Sequence, residues 1–169
     1  LEPIIRDSKA LKILIDHHQQ PDTPSFAYGI SDVKMSSTCE MVYDFIVQSG
    51  HSNIINLDIA TCLYTGLMTD TGSFRFPSTT ASVHKIVAHL KELGLQHAKI
   101  HENIYDNSTE GRLKFMGNAF LNRMTVLPEF KTAVMAIPKS DIYKFELKTG
   151  DTEGLVNYLL SIEGIKFAA

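Results

Sequence analysis

The sequence predicts an α/β protein in which helices flank a parallel sheet, because short aliphatic segments alternate with amphipathic ones. Residues 13–15 form a continuous aliphatic run, as expected for a strand buried on both faces. Apolar side chains at helical spacing follow in residues 37–50, 58–70 and 80–94. A further group of strand-like and helical patterns begins after Pro128, so we expect the start of a second, smaller α/β unit.

Composition limits the class of protein. The 169 residues are 44% hydrophobic and contain no apolar run of the roughly 20 residues that a membrane helix needs. No signal peptide is visible, so we expect a soluble, cytoplasmic protein. A net charge of -3 and a pI near 6.2 argue against binding of long duplex nucleic acid. Cys39 and Cys62 lack metal-type spacing and are predicted to be reduced core residues.

The aliphatic run of residues 13–15 is followed by Asp16, His17 and His18, one carboxylate and then two imidazoles. Ligands gather at the carboxyl ends of strands in α/β sheets, and these side chains are common ligands of zinc, manganese and iron. A neighbouring carboxylate commonly orients a metal-bound histidine through its other ring nitrogen. A solvated surface triplet is the alternative, but three such side chains at the end of one buried strand favour a functional site.

Local patterns after the triplet predict a loop, a strand and a helix. Pro21 and Pro24 exclude a helix and predict a loop, and residues 26–33 are consistent with a short strand. Ser37 and Glu40, three residues apart, form a capping-box pattern that begins the helix. Capping accounts for Ser37, and an anion site at the helix N-terminus is the alternative.

The next helix is predicted to begin at Asp58 as its cap and to end at Asp70, where Thr71 and Gly72 interrupt the pattern. A carboxylate at a helix C-terminus opposes the helix dipole, which is unfavourable unless a cation lies nearby. Asp70 is therefore a candidate metal ligand, with an ordinary turn residue as the alternative. Arg75, between two phenylalanines, is either an exposed strand residue or a cation that contacts a substrate phosphate.

The remaining patterns predict scaffold. An amphipathic helix opens at Thr79 or Thr80, and a later helix with an apolar stripe is expected to bridge two domains. The members of that stripe are Leu113, Met116, Phe120 and Met124. Strand patterns then occupy residues 131–137 and begin again at Ile165, with a helix over residues 152–162 between them.

Two motifs carry a resemblance to a known family. The Asp16-His17-His18 triplet after a hydrophobic strand, together with residues 63–74 (LYTGLMTDTGSF), resembles the DHH phosphoesterases. The chain looks most similar to the oligoribonucleases and phosphoadenosine-phosphate phosphatases, which carry a second, DHH-associated domain. The resemblance then implies that residues 1–106 are the C-terminal part of a DHH domain, residues 107–127 a linker helix, and residues 128–169 the start of the associated, substrate-binding domain.

The resemblance also implies roles for the site residues. The family holds two manganese ions, for which magnesium or cobalt are alternatives, and His17 and Asp70 match two of its metal ligands. His18 matches the residue that contacts the scissile phosphate, and Asp16 would support a ligand without touching the metal. The family's first two motifs and its glycine-histidine motif have no counterpart in the sequence. Because the chain also opens on Leu1, we expect a piece of a longer protein that is inactive alone.

The implied function is hydrolysis of short oligoribonucleotides or of 3′-phosphoadenosine 5′-phosphate. A pyrophosphatase or exopolyphosphatase is a second enzymatic reading, and a non-catalytic nucleotide- or metal-binding module is a third, because most of the expected metal ligands are absent. The expected partner is a short oligoribonucleotide or a nucleotide, with Ser37 and Arg75 as candidate substrate contacts, and neither a membrane nor long duplex nucleic acid. The oligomeric state stays open, with a homodimer among the options.

Overall fold

The computed structural model describes residues 2–169, which divide after Ile104 into two compact units. The first unit contains, in chain order, α1 (Glu2–Asp7), β1 (Ile13–Asp16), β2 (Tyr28–Ser31), α2 (Thr38–Gln48), a 3-10 turn (Ser52–Ile54), α3 (Leu57–Asp70), α4 (Ala81–Glu92) and α5 (His97–Tyr105), at whose end the division falls. The second unit contains α6 (Glu110–Asn122), β3 (Met124–Leu127), a 3-10 turn (Pro128–Phe130), β4 (Thr132–Met135), α7 (Lys139–Lys144), α8 (Leu155–Leu160) and β5 (Phe167–Ala168). No helix within residues 2–169 is both long and apolar enough to cross a membrane.

The predicted α/β class is confirmed, and the first unit contains a parallel pair of strands. β1 pairs with β2 so that Ile13 faces Tyr28 and Asp16 faces Ser31. The expectation that β1 is buried on both faces is wrong, since Ile13 is 50% and Tyr28 66% exposed. Among the described residues β1 pairs only with β2, and α2 is the helix that packs most closely on β1. Apolar side chains of the two strands that α2 does not cover are therefore exposed.

Helices α2, α3 and α4 pack together and enclose the core of the first unit. Its fully buried members are Ala60, Leu67, Met68, Val83 and Leu90. Asn56, not Asp58, caps α3, because the Asn56 side chain accepts a hydrogen bond from the Ile59 amide at 2.9 Å. Asp58 instead lies in the first turn, where its charge interacts favourably with the helix dipole.

Both cysteines are free, but they differ in burial. Cys39 is half-buried between helices, whereas Cys62 is exposed, so the prediction that Cys62 is a core residue is wrong. The buried face of α3 passes through Leu63 and Tyr64, which turns the preceding position toward solvent.

The second unit has its own sheet and its own core. β3 and β4 are antiparallel, β5 adds to β4 in parallel, and a small apolar cluster forms around Phe115, Ala119 and Leu155. The predicted stripe on α6 is partly wrong, because Leu113 is 58% exposed and Met124 belongs to β3. The buried face passes through Phe115 and Ala119, four residues apart, so the helix is rotated relative to the prediction. The predicted domain boundaries and the linker role of this helix stay predictions.

A buried ion pair joins α6 to α7 in the second unit. Arg123 donates to both carboxylate oxygens of Asp141, at 2.7 and 3.0 Å, and Asn118 donates to the same carboxylate at 3.1 Å. Asp141 is 4% exposed. The hydrogen bonds from Arg123 hold the pKa of Asp141 below its usual value of 3.8, because they favour the charged form.

This lowered pKa predicts a pH-dependent difference between the protein and its Asp141→Asn variant. A carboxyl group with a lowered folded-state pKa stabilises the fold above its unfolded-state pKa and loses that contribution as the pH falls through the folded-state pKa. We expect the variant to be less stable at pH 6 and the difference to shrink below pH 3.8. Urea denaturation of both proteins between pH 6 and pH 2 measures this, and a difference that is constant across the range would contradict it.

Candidate functional site

The carboxyl end of β1 places two imidazoles in different surroundings. The His17 side chain is 18% exposed and the His18 side chain 76% exposed. Their ring centroids lie 4.5 Å apart in an edge-to-face arrangement. The rings are therefore neighbours, but His17 faces the protein and His18 faces solvent.

The contact of His17 with the main chain sets its tautomer. The Nδ1 of His17 lies 3.3 Å from the carbonyl oxygen of Met35. A carbonyl oxygen can only accept a hydrogen bond, so Nδ1 carries the hydrogen and Nε2 of the neutral ring carries the lone pair. That Nε2 lies 3.8 Å from Oδ2 of Asp70. The lone pair is thus available at the position where the two side chains converge.

Asp70 is the last residue of α3, and its carboxylate is held from the start of α2. The Ser37 hydroxyl donates to Oδ2 of Asp70 at 2.7 Å. The two helices come close because Gly66 has no side chain, since a Cβ there would overlap the Sγ of Cys39. Burial, and then the charge of Asp70, raise the pKa of the Cys39 thiol, which therefore stays protonated at neutral pH.

The carboxylate of Asp16 contacts the ring of His18 rather than the ring of His17. Its Oδ1 accepts from Nδ1 of His18 at 2.8 Å, and its Oδ2 accepts from the His18 amide at 3.1 Å. The side-chain hydrogen bond from His18 lowers the pKa of Asp16 below 3.8, so the carboxylate is ionised at neutral pH. The carboxylate orients the His18 ring and leaves its Nε2 free to meet a ligand from solvent. The partner of His17 is a main-chain carbonyl, which no side-chain pattern in the sequence indicates.

The cap of α2 agrees with the prediction in part. Ser37 is the N-cap, and its hydroxyl accepts the Cys39 amide at 3.1 Å. Glu40, however, accepts from the amide and the hydroxyl of Ser36, at 3.0 and 2.6 Å, rather than from the amide of Ser37. Ser37 is completely buried, and its hydroxyl is already engaged. These contacts favour a role other than the predicted substrate contact.

The segment after Asp70 is a left-handed turn and not the predicted strand. Gly72, Ser73 and Phe74 have φ values of 56°, 59° and 65°, a conformation that is unfavourable for the last two residues. Thr71 holds the turn, since its hydroxyl donates to the Leu67 carbonyl at 2.6 Å and accepts the Phe74 amide at 2.9 Å.

Arg75 is exposed on this turn. Its Nε donates to the carbonyl oxygen of Gly72 at 2.8 Å. This hydrogen bond ties the side chain to the turn rather than to the triplet, so the substrate-binding role of Arg75 stays a prediction.

His17 and Asp70 together fit one side of a divalent-cation site. Bonds from nitrogen and oxygen to such metals are about 2.0–2.2 Å long. His17 and Asp70, whose Nε2 and Oδ2 atoms lie 3.8 Å apart, would therefore be able to hold a divalent cation. Imidazole and carboxylate are also a suitable donor set. Within residues 2–169 no group of three or more His, Cys, Asp or Glu side chains is arranged to hold a metal ion.

The N-terminal part of the chain is similar to a known protein family. Residues 3–67 match the DHH family, N-terminal domain. The chain therefore resembles the DHH family over this N-terminal region. The matched region contains the Asp16-His17-His18 triplet and ends three residues before Asp70. The resemblance predicted from the two motifs is confirmed.

Proteins similar to this chain include some that are named as hydrolases. It is 29% identical to the bifunctional oligoribonuclease and PAP phosphatase NrnA of Bacillus subtilis over 161 residues, 94% of this chain and 50% of the relative. It is 36% identical to the protein of the same name from Thermus thermophilus over 93 residues, 54% of this chain and 28% of that one. The crystal structure of an exopolyphosphatase-related protein from Bacteroides fragilis matches 96% of this chain and 47% of its own with a TM-score of 0.89 and 35% identity. The chain thus spans about half the length of the Bacillus relative and of the Bacteroides protein.

The hydrogen bond to Met35 predicts the tautomer of His17 in solution. We expect neutral His17 to carry its hydrogen on Nδ1, because the carbonyl at 3.3 Å can only accept. Long-range ¹H–¹⁵N correlation spectra of the metal-free protein at pH 8 distinguish the two tautomers. A hydrogen on Nε2 would contradict the assignment, because that tautomer cannot offer a lone pair toward Asp70.

Proposed function

We propose that this chain forms part of the active site of a metal-dependent phosphoesterase that hydrolyses short oligoribonucleotides or 3′-phosphoadenosine 5′-phosphate. The observation that carries the proposal is the convergence of His17 Nε2 and Asp70 Oδ2, 3.8 Å apart, beside the exposed His18 at the end of β1. Two relatives that bear the name oligoribonuclease and PAP phosphatase support the choice of substrate class. The net charge of -3 suits a short ligand better than long duplex nucleic acid.

In this proposal His17 and Asp70 hold the cation, with manganese as the expected ion and magnesium or cobalt as alternatives. When bound, the ion lowers the pKa of water and neutralises charge on a phosphate. The Met35 carbonyl keeps the Nε2 lone pair of His17 available, and the Ser37 hydroxyl fixes one oxygen of the Asp70 carboxylate.

His18 has a separate role in the proposal. Asp16 accepts its Nδ1 hydrogen, so the ring presents Nε2 to solvent, where a protonated imidazole can donate to a phosphate oxygen. His18 thus binds and neutralises the scissile phosphate, while Asp16 orients it without touching the metal.

Two side chains do not complete the centre. Two-metal hydrolysis needs ions about 3.5–4 Å apart, each with several ligands. We therefore propose that residues 1–169 alone bind manganese weakly and hydrolyse phosphoesters slowly or not at all. The relatives, about twice as long as the matched chain, are consistent with further ligands from other segments. We propose the cytoplasm as the compartment, and a homodimer as one assembly to test.

A second candidate function is that of a pyrophosphatase or exopolyphosphatase, which the likeness to an exopolyphosphatase-related protein favours. A third is a nucleotide- or metal-binding module without catalysis, which the incomplete ligand set favours. A panel of a dinucleotide, 3′-phosphoadenosine 5′-phosphate, pyrophosphate and polyphosphate, each with manganese and an intact parent protein, separates the three. Preference for the last two substrates supports the second candidate, and no turnover of any substrate supports the third.

We expect replacement of His17 and replacement of His18 in the intact parent protein to have different effects on manganese affinity and turnover. His17→Ala removes a metal ligand and should lower both manganese affinity and turnover, whereas His18→Ala should mostly spare affinity and lower turnover. Titration calorimetry with Mn²⁺ and phosphoesterase assays measure the two quantities. His51→Ala, on an exposed turn residue, is the matched control and should change neither. Equal loss of metal affinity in both variants would show that the assignment is wrong.

A further inference from the structure

One short segment before α2, residues 35–37, contacts both side chains that converge at the end of β1. The carbonyl oxygen of Met35 accepts from Nδ1 of His17 at 3.3 Å, and the hydroxyl of Ser37 donates to Oδ2 of Asp70 at 2.7 Å. His17 and Asp70 come from different elements, and each is tied to this segment rather than to the other's element. The segment therefore sets the position of one relative to the other.

Buried hydrogen bonds hold the segment itself in place. Glu40, only 4% exposed, accepts from both the amide and the hydroxyl of Ser36. The Met35 amide donates to the carbonyl of Asp32 at 3.1 Å, and Ser37 is fixed as the N-cap of α2. Buried hydrogen bonds of this kind restrict the movement of the groups that they join. The carbonyl and the hydroxyl are thus held in fixed directions.

Capping alone does not require a serine at position 37. As the N-cap, Ser37 only needs to accept the Cys39 amide, and Asp, Asn or Gly would cap a helix about as well. Donation to Asp70 needs a hydrogen on the same atom that accepts, which a hydroxyl provides and an Asp carboxylate does not. The buried hydroxyl does both at once. Its contact with the Cys39 amide caps the helix, and its contact with Asp70 positions the carboxylate.

We propose that Ser37 is a positioning residue of the metal centre: its hydroxyl holds the Asp70 carboxylate where it shares a divalent cation with His17. This inference rests on the proposed function, because it presupposes that the cation binds between these two side chains. It replaces a substrate contact of Ser37 by an action through Asp70. Contacts that orient metal ligands in this way change metal affinity by about 10- to 100-fold when removed.

The test compares capping variants in the 169-residue chain with MnCl₂ as the probe. Ser37→Gly removes the hydroxyl but keeps most of the capping, Ser37→Thr keeps both functions, and Thr80→Gly makes the same kind of change at the cap of α4, away from the site. Paramagnetic broadening of the Asp16 and Thr71 amide signals during the titration reports even weak manganese binding. Thermal unfolding without metal shows how much stability each variant loses.

We expect Ser37→Gly to weaken Mn²⁺ binding about 10-fold or more, while Ser37→Thr and Thr80→Gly bind as the unmodified chain does. Unchanged binding by Ser37→Gly would overturn the inference, as would an equal loss in Thr80→Gly, because the effect would then follow helix stability alone. Failure of the proposed function looks different. In that case the unmodified chain shows no Mn²⁺-dependent broadening at these amides, or Asp70→Asn leaves it unchanged.

Discussion

The hydrogen bond from Ser37 to Asp70 joins the start of α2 to the end of α3 across 33 residues of sequence. The two helix ends complement each other, because the positive end of one dipole meets a carboxylate at the negative end of the other. Gly66 makes this approach sterically feasible, and the hydroxyl of Ser37 donates to one oxygen of the Asp70 carboxylate. The packing of two helices thus determines where a candidate metal ligand lies.

Two adjacent histidines near this contact have different hydrogen-bond partners. His17 and His18 are the same residue type in consecutive positions, yet one donates its Nδ1 hydrogen to a neutral carbonyl and the other to an ionised carboxylate. Because its acceptor is a carbonyl, the neutral ring of His17 carries its lone pair on Nε2, whereas the carboxylate of Asp16 orients the ring of His18 with Nε2 toward solvent. Burial strengthens the contrast, because His17 faces the protein and His18 faces solvent.

Local patterns predicted the strand that ends at Asp16, the cap at Ser37 and the end of α3 at Asp70, because capping and periodicity depend on neighbouring residues. The proximity of Asp70 to His17 followed from the rule that strand ends collect ligands. The acceptor of His17 was missed because it is a main-chain carbonyl, which every residue possesses. The exposure of β1 was missed because burial depends on what packs against a strand and not on the strand alone.

The central claim is that Ser37 and the Met35 carbonyl bring His17 and Asp70 together to share one divalent cation. Anomalous diffraction from a crystal of the chain soaked in MnCl₂ tests it most directly, because manganese is located without reference to any assumed site. The account predicts a peak within about 2.0–2.3 Å of both His17 Nε2 and a carboxylate oxygen of Asp70. Peaks only at other carboxylates, with none between these two side chains, would contradict it.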